Sequence, residues 1–208
     1  EICICNKTQK PTPSGLLGFL GPATASFQIM SLDSIGGFGR YRSPKKYLHL
    51  LVDHFTRYAH ILTSKNQTTD KMIRLIESVH KNNPIGTLLT DQYAGLGSQQ
   101  FEDYCCKAEI NHIYVAVDCA FLNGINERLN QTIVNRIQCR YNENNSKVAW
   151  TSIAEKCVKE YNQTIHSVTG FAPEYLLYGT QVKLTPKELL EVPNLAANQK
   201  IALENSIK

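Results

Sequence analysis

Apolar residues along this chain follow two rhythms, unbroken short runs and runs spaced by three and four. Short runs over 27–35, 47–53, 58–63, 85–90 and 110–117, each bracketed by turn formers, predict five strands. Between the third and fourth, Met72, Ile73, Leu75, Ile76 and Val79 recur at helical spacing. Thr68-Thr69-Asp70 caps that helix and Asn82-Asn83-Pro84 stops it. A short helix over 98–108, a loop over 118–122, a long helix over about 124–142 and another over about 148–162 follow. The long helix turns Ile125, Leu129, Ile133 and Ile137 to one side, and Glu127, Arg128, Gln131, Asn135 and Gln138 to the other. The next helix gathers Trp150, Ile153, Ala154, Cys157, Val158 and Tyr161 on one stripe, which suits either core packing or a seam between copies. Pro173 opens a short helix, Glu174 to Tyr178, that Gly179 stops. Thr185-Pro186-Lys187-Glu188 reads as a capping box, Pro193 breaks the helix it starts, and Leu195 to Ile207 forms one more. The pattern by itself supports a mixed α/β domain.

Composition narrows the class but not the activity. At 208 residues and 42% hydrophobic, the chain holds one full domain with short appendages. A net charge of +4 permits contact with nucleic acid without identifying it. No segment is long and apolar enough to span a membrane, Gly15–Leu20 included. No signal peptide is visible, and the missing initiator Met points to a piece of a longer product. Seven cysteines, two of them adjacent at Cys105-Cys106, do not form a disulfide framework, so a reducing compartment, cytosol or nucleus, is expected.

The candidate chemistry lies in three carboxylates. Asp33 ends the apolar segment Phe27–Asp33, Asp91 ends Ile85–Asp91, and Glu127 lies one turn into a helix opening at Asn123-Gly124. Three converging acids repel one another when empty, and oxygen ligands without His or Cys favour magnesium or manganese over zinc. Each has a plainer reading: a strand end for Asp33, a turn residue for Asp91, a dipole-compensating acid for Glu127. Asp53, in Asp53-His54-Phe55-Thr56, reads instead as the Asx-type turn between the second and third strands. Asn162, Thr164 and His166 read as a polar cluster that ties down the turn at 167–170.

The flanking residues extend the pattern. Tyr47–Ala59, Leu89-Thr90-Asp91-Gln92-Tyr93-Ala94-Gly95 with Phe101, Asn123-Gly124-Ile125-Asn126-Glu127-Arg128-Leu129-Asn130, Tyr161–Ser167, and Thr169–Pro173 with Leu176 to Gly179 occur in order. Together they resemble the catalytic core of retroviral and gypsy-type retrotransposon integrases, over residues 24 to 180. The resemblance implies a ribonuclease H-like fold, a five-stranded mixed sheet flanked by helices. It implies a core over 25–180, preceded by a linker at 11–24 and a remnant of an amino-terminal zinc-binding domain at 1–10, and followed by a helical tail at 181–208. Cys3 and Cys5 stand in that remnant, one residue apart where the family has two, with no upstream His to complete a tetrahedral site.

The resemblance also implies an activity: metal-dependent 3′-end processing and strand transfer on double-stranded DNA, both element ends and target. Asp33 would bridge two Mg²⁺ (or Mn²⁺) ions, with Asp91 and Glu127 each completing one shell. Asn123, Arg128 and Gln131 become candidate DNA contacts, although a solvated polar face explains the last two equally well. Self-association as a dimer or tetramer, and work in the nucleus after synthesis in the cytoplasm, are implied as well. A host-adopted, catalytically silent domain that binds DNA or protein is the alternative. One departure stands out: Cys119-Ala120-Phe121-Leu122 replaces the His-Pro motif that relatives carry before Asn-Gly.

Overall fold

The computed structural model describes residues 21–38, 43–91, 96–115, 120–143, 148–179 and 195–207, with side chains from Gly124 onward in the segment that begins at 120. The predicted remnant at 1–10, most of the linker and the capping box at 185–188 lie outside the described residues.

All five predicted strands form: β1 (Ile29–Ile35), β2 (Tyr47–Asp53), β3 (Ala59–Ser64), β4 (Thr87–Asp91) and β5 (Asn111–Val115). They join one sheet in the order β3-β2-β1-β4-β5. The hairpin pairs β1–β2 and β2–β3 are antiparallel, whereas β4 and β5 run parallel to β1. Parallel neighbours need crossovers, and the helices supply them. α1 (Thr69–His80) links β3 to β4, and α2 (Gln99–Lys107) links β4 to β5. Then come α3 (Ala120–Glu143), α4 (Trp150–Gln163), α5 (Pro173–Tyr178) and α6 (Leu195–Ile207). This is the expected five-stranded mixed sheet with flanking helices, the ribonuclease H-like architecture.

Strand alternation splits the core into two layers. Met30, Leu32, Leu51 and Leu88 pack with Met72, Leu75, Ile76 and Val79 of α1 and Phe101 of α2. Leu48, Leu50 and Val52 face the other way, against Leu129, Ile133 and Ile137 of α3 and the stripe of α4. Trp150 is fully buried, stacked on Phe38 at 4.2 Å, with Nε1 donating to Lys45 O at 3.1 Å. The α4 stripe is therefore core, which removes it as a seam between copies.

Helix α3 corrects the sequence reading. It opens at Ala120, so Asn123-Gly124 lie inside it, and the predicted loop at 118–122 is helical from Ala120 onward. Gly124 costs roughly 1 kcal/mol against alanine there, an amount that burial of Leu129, Ile133 and Ile137 outweighs. At the far end Gly179 takes φ 71°, the left-handed cap that stops α5. Helix α6 docks rather than floats: Asn198 donates to Tyr175 Oη at 2.7 Å and Gln199 to Leu176 O at 2.8 Å. Leu203 packs beside Ile29, Leu89 and Val115 on the α3 face of the sheet. Among the described residues, no helix is long and apolar enough to cross a membrane.

Candidate active site

Asp33 sits within β1, two residues before the strand ends at Ile35, so it is not the strand terminus that the apolar run implied. It is half-buried. Its Oδ1 accepts the Ser34 N–H at 2.6 Å, and its Oδ2 accepts a hydrogen bond from Asn130 Nδ2 on α3. Asp91 is the last residue of β4 and is exposed. The parallel register runs from Ile29↔Thr87 to Leu32↔Thr90. Asp33 and Asp91 are the next residues along these two strands, which run about 5 Å apart.

Both side chains belong to the α3 face. Asp33 reaches Asn130 there. Thr90, the residue before Asp91, turns the opposite way and pairs with His112 at 2.8 Å, whose ring meets Phe101 of α2 edge-on. Alternation then sends Asp91 to the α3 side. Glu127 is exposed on α3, one turn before Asn130, so their Cβ atoms are about 5–6 Å apart. It lies about 140° around the helix from Arg140, whose Nη2 pairs with Glu160 of α4 at 2.7 Å. Since α4 covers β3 and α3 covers β1, Glu127 faces away from α4.

Asp33 and Asp91 thus stand on neighbouring strands, and Glu127 stands on the helix that covers β1. Among the described residues, however, no three His, Cys, Asp or Glu side chains stand close enough to hold a metal ion. Segments 92–95 and 116–119, which flank Asp91 and precede α3, lie outside the described residues. The donor chemistry fits a hard divalent cation: carboxylate oxygens only, with Asp33 already oriented by two neutral N–H donors.

Sequence reading missed a buried relay just beneath this face. Ser31, two residues before Asp33 on the same face, donates to Asn126 Oδ1 at 2.6 Å. Ser31 Oγ also lies 2.8 Å from His54 Nε2. The serine proton is committed to Asn126, so His54 must donate from Nε2. Burial, then the charge of Arg57, holds the His54 imidazole at a pKa of about 4, so it is neutral at pH 7. Ser31 is 1% and Asn126 3% exposed. The relay ties the turn after β2, the strand of Asp33 and the helix residue next to Glu127.

Asp53 behaves as a turn residue. Its Oδ1 accepts the N–H groups of Phe27 and Phe55, and its Oδ2 accepts Thr56 N–H and Oγ1–H. Asn162 bridges the Ala59 backbone through both its amide groups at 2.9 Å, tying α4 to β3. His166 holds its turn through Gly170 N–H to His166 O at 2.8 Å. Of the candidate DNA contacts, Arg128 and Gln131 are exposed on α3, and the side chain of Asn123 lies outside the described residues. The described cysteines 105, 106, 139 and 157 are all free thiols.

No protein-family profile matches the chain. Two polyproteins of Schizosaccharomyces pombe, Transposon Tf2-3 and Transposon Tf2-4, are each 24% identical over 193 residues, 91% of this chain. The chain spans only 14% of the length of either relative. Among solved structures, the simian T-cell lymphotropic virus intasome in complex with PP2A regulatory subunit B56 gamma aligns with a TM-score of 0.68 at 16% identity. That match covers 80% of this chain and 59% of the other. The HTLV-2 integrase catalytic core domain in complex with magnesium aligns at 0.59 and 20% identity, over 72% of this chain and 94% of the other. The chain is similar in sequence to these transposon polyproteins, and its fold is that of retroviral integrase catalytic cores.

Proposed function

We propose that this chain is the catalytic core of a retrotransposon integrase, which trims and joins DNA at Asp33, Asp91 and Glu127 with divalent metal. One observation carries the reading. The parallel β1–β4 pairing ends at Leu32↔Thr90, and Asp33 and Asp91 are the next residues on these two strands, which supports their acting together. These three residues would hold two Mg²⁺ or Mn²⁺ ions. When bound, the metal activates the attacking oxygen and stabilises the leaving oxygen of an in-line displacement.

The chain's own part is positional. Asn130 and the Ser34 N–H fix the Asp33 carboxylate, and the Ser31–Asn126 bond fixes the height of α3 beside it. In end processing, a water oxygen bonds to phosphorus while the P–O3′ bond breaks, and a proton passes to the departing 3′-oxygen. In strand transfer that 3′-hydroxyl oxygen attacks a target phosphodiester, loses its proton and releases the target's own 3′-oxygen. Double-stranded DNA is the substrate on both sides. This work belongs in the nucleus, after synthesis in the cytoplasm, and in an assembly of two or four copies that holds paired ends.

A second reading, an integrase-derived domain that binds without cutting, draws on the absence of a gathered acidic triple among the described residues. A disintegration assay separates the two. A labelled branched duplex is incubated with the 208-residue chain and Mg²⁺ or Mn²⁺, beside Asp91→Asn. Product from the wild type alone supports the catalytic reading. Equal product from both proteins removes the triad from the chemistry, and none from either favours the silent domain.

A further inference from the structure

One residue past Asp33, on the opposite face of β1, a second hydrogen-bonded chain crosses three strands. Ser34 Oγ lies 2.6 Å from His49 Nδ1, and His49 Nε2 lies 2.8 Å from Ser64 Oγ. Ser64 Oγ in turn donates to Asn66 O at 2.6 Å. That last bond fixes every direction in the chain. The Ser64 proton is spent on a carbonyl, so Ser64 Oγ accepts from His49 Nε2–H. A neutral imidazole protonated on Nε2 has only a lone pair on Nδ1, so Ser34 donates to it. His49 is 0% exposed, and burial lowers its pKa to about 4, so it is neutral at pH 7.

Neither core packing nor proton transfer accounts for this chain. His49 lies on the α1 face of β2, two residues from Leu51, where an aliphatic side chain would fill the layer without a desolvation cost. A histidine that stays neutral down to about pH 4 is also a poor base for Ser34. Its effect is to immobilise Ser34. The pairing of β1 with β4 ends at Leu32↔Thr90, so among the described residues Asp33, Ser34 and Ile35 are paired through β2 alone. Here the Ser34 N–H donates to Asp33 Oδ1 at 2.6 Å, along a direction set by the peptide plane between the two residues. One residue thus carries both the N–H that meets the carboxylate and the hydroxyl that meets His49.

We propose that His49 is a positioning residue for the Asp33 carboxylate, acting through Ser34 and itself held by Ser64. The inference rests on the function proposed above, in which Asp33 is a metal ligand, and adds the part of the sheet that aims it. Asn130 steers Oδ2 from α3, and the chain through Ser34 steers Oδ1 from the strand. A carboxylate already oriented has less freedom to lose when a cation arrives, so the effect falls on metal affinity. It need not fall on stability. Ser34 is half-buried and can turn to water, and Ser64 keeps Asn66 O, so His49→Leu strands no hydroxyl proton and should fold.

The test uses the full chain as wild type, Ser34→Ala, His49→Leu, the double variant of these, His49→Asn and Asn198→Leu. Mn²⁺ binding is followed by the electron paramagnetic resonance of the free ion, and the Ser34 amide proton by NMR of the metal-free protein. Ser34→Ala and His49→Leu should each weaken Mn²⁺ binding by about 10- to 100-fold. The double variant should bind no more weakly than either, because both changes act at one hydroxyl. His49→Asn returns an acceptor oxygen near the place of Nδ1, though it leaves Ser64 without its donor, and should bind Mn²⁺ almost as the wild type does. Asn198→Leu loses a buried hydrogen bond of α6 and should bind as the wild type. The Ser34 amide proton should move upfield in His49→Leu, as its bond to Asp33 loosens, and stay in place in His49→Asn. Losses that multiply in the double variant overturn the positioning role, as does a His49→Asn protein as weak as His49→Leu. Wild-type affinity in both single variants, or an unmoved amide proton in His49→Leu, overturns it too. A wild type that takes up no Mn²⁺ sinks the metal-dependent function instead; an amide shift in His49→Leu then still upholds the aiming of Asp33, and its absence ends that as well.

Discussion

Ser31 and Asn126 offer the sharpest test of how the chain holds its helix to its sheet. The two side chains are 1% and 3% exposed and meet at 2.6 Å. Asn126→Leu keeps the volume and favours helix, yet it leaves the serine proton without an acceptor. Ser31→Ala leaves two groups stranded, Asn126 Oδ1 and His54 Nε2–H. Each stranded buried group costs about 1–3 kcal/mol. Asn126→Leu should therefore destabilise by about 1–3 kcal/mol, and Ser31→Ala by about 2 kcal/mol or more. The double variant strands only His54. It should be more stable than the sum of the single losses predicts, by about 2 kcal/mol or more.

Urea denaturation at pH 7 reads all four corners of this cycle, and an unchanged m-value confirms that the same unfolding is compared. The variants also bear on chemistry, because Asn126 precedes Glu127 and Ser31 precedes Asp33 by two residues. Groups that orient metal ligands typically contribute 10- to 100-fold in affinity, so Mn²⁺ titration of Asn126→Leu should show a loss in that range. Additive single losses would refute the relay as a coupled unit. A fully coupled cycle with wild-type Mn²⁺ affinity would refute its part in setting the site.

Three further outcomes follow from the same geometry. Mg²⁺ or Mn²⁺ at 100 times its Kd should stabilise the wild type by about 2.7 kcal/mol, and Asp33→Asn should lose most of that gain in a melting scan. His49, His54, His60 and His166 all have pKa values lowered to about 4 by burial, so the unfolded chain binds their protons first as pH falls. The stability they contribute is whole above about pH 6.5 and is lost towards pH 4; fully buried His49 alone accounts for roughly 2 kcal/mol by pH 5. A flat urea midpoint between pH 7 and 5 would contradict that burial. Asn198→Leu removes the donor to Tyr175 at 1% exposure and should cost about 1–3 kcal/mol in the same urea experiment, whereas a freely hanging α6 would show no change.

What could be read from the sequence was whatever a local rule governs. Strands and helices appeared because their apolar spacing is a local signal, and the stripe of α1 came through as buried Met72, Leu75, Ile76 and Val79. The start of α3 lies upstream of Asn123-Gly124 because contacts further along the helix override the breaker chemistry of that pair. The relay was invisible for a different reason. Its partners lie 95 and 23 residues apart, and no spacing rule links a serine in a strand to an asparagine in a helix. The docking of α6 escaped notice because it uses Asn198, Gln199 and Asn205, which read as solvent-facing until Tyr175, Leu176 and Thr169 receive them. Arg57 gave no signal at all, since its left-handed backbone and its enclosed N–H groups are tertiary facts.

The catalytic reading therefore stands or falls on register rather than on motif. A slip of one residue between β1 and β4 would send Asp91 to the α1–α2 side and part it from Asp33 for good. Three independent contacts oppose that slip. Leu88 is fully buried among α1 and α2, and Leu89 is equally buried on the other face, so exchanging them would expose neither core to better packing. Thr90 is committed to His112 at 2.8 Å on the α2 side. Gly86 fixes the start of the strand: a Cβ there would meet Gln28 O at 3.0 Å, so the close approach to β1 at this point belongs to glycine, and a slipped strand would bring Ile85 or Thr87 into that gap. On the proposed reading, two acids brought together by the packing of their apolar neighbours need no attraction between themselves. That is the condition under which like charges can wait side by side for a cation.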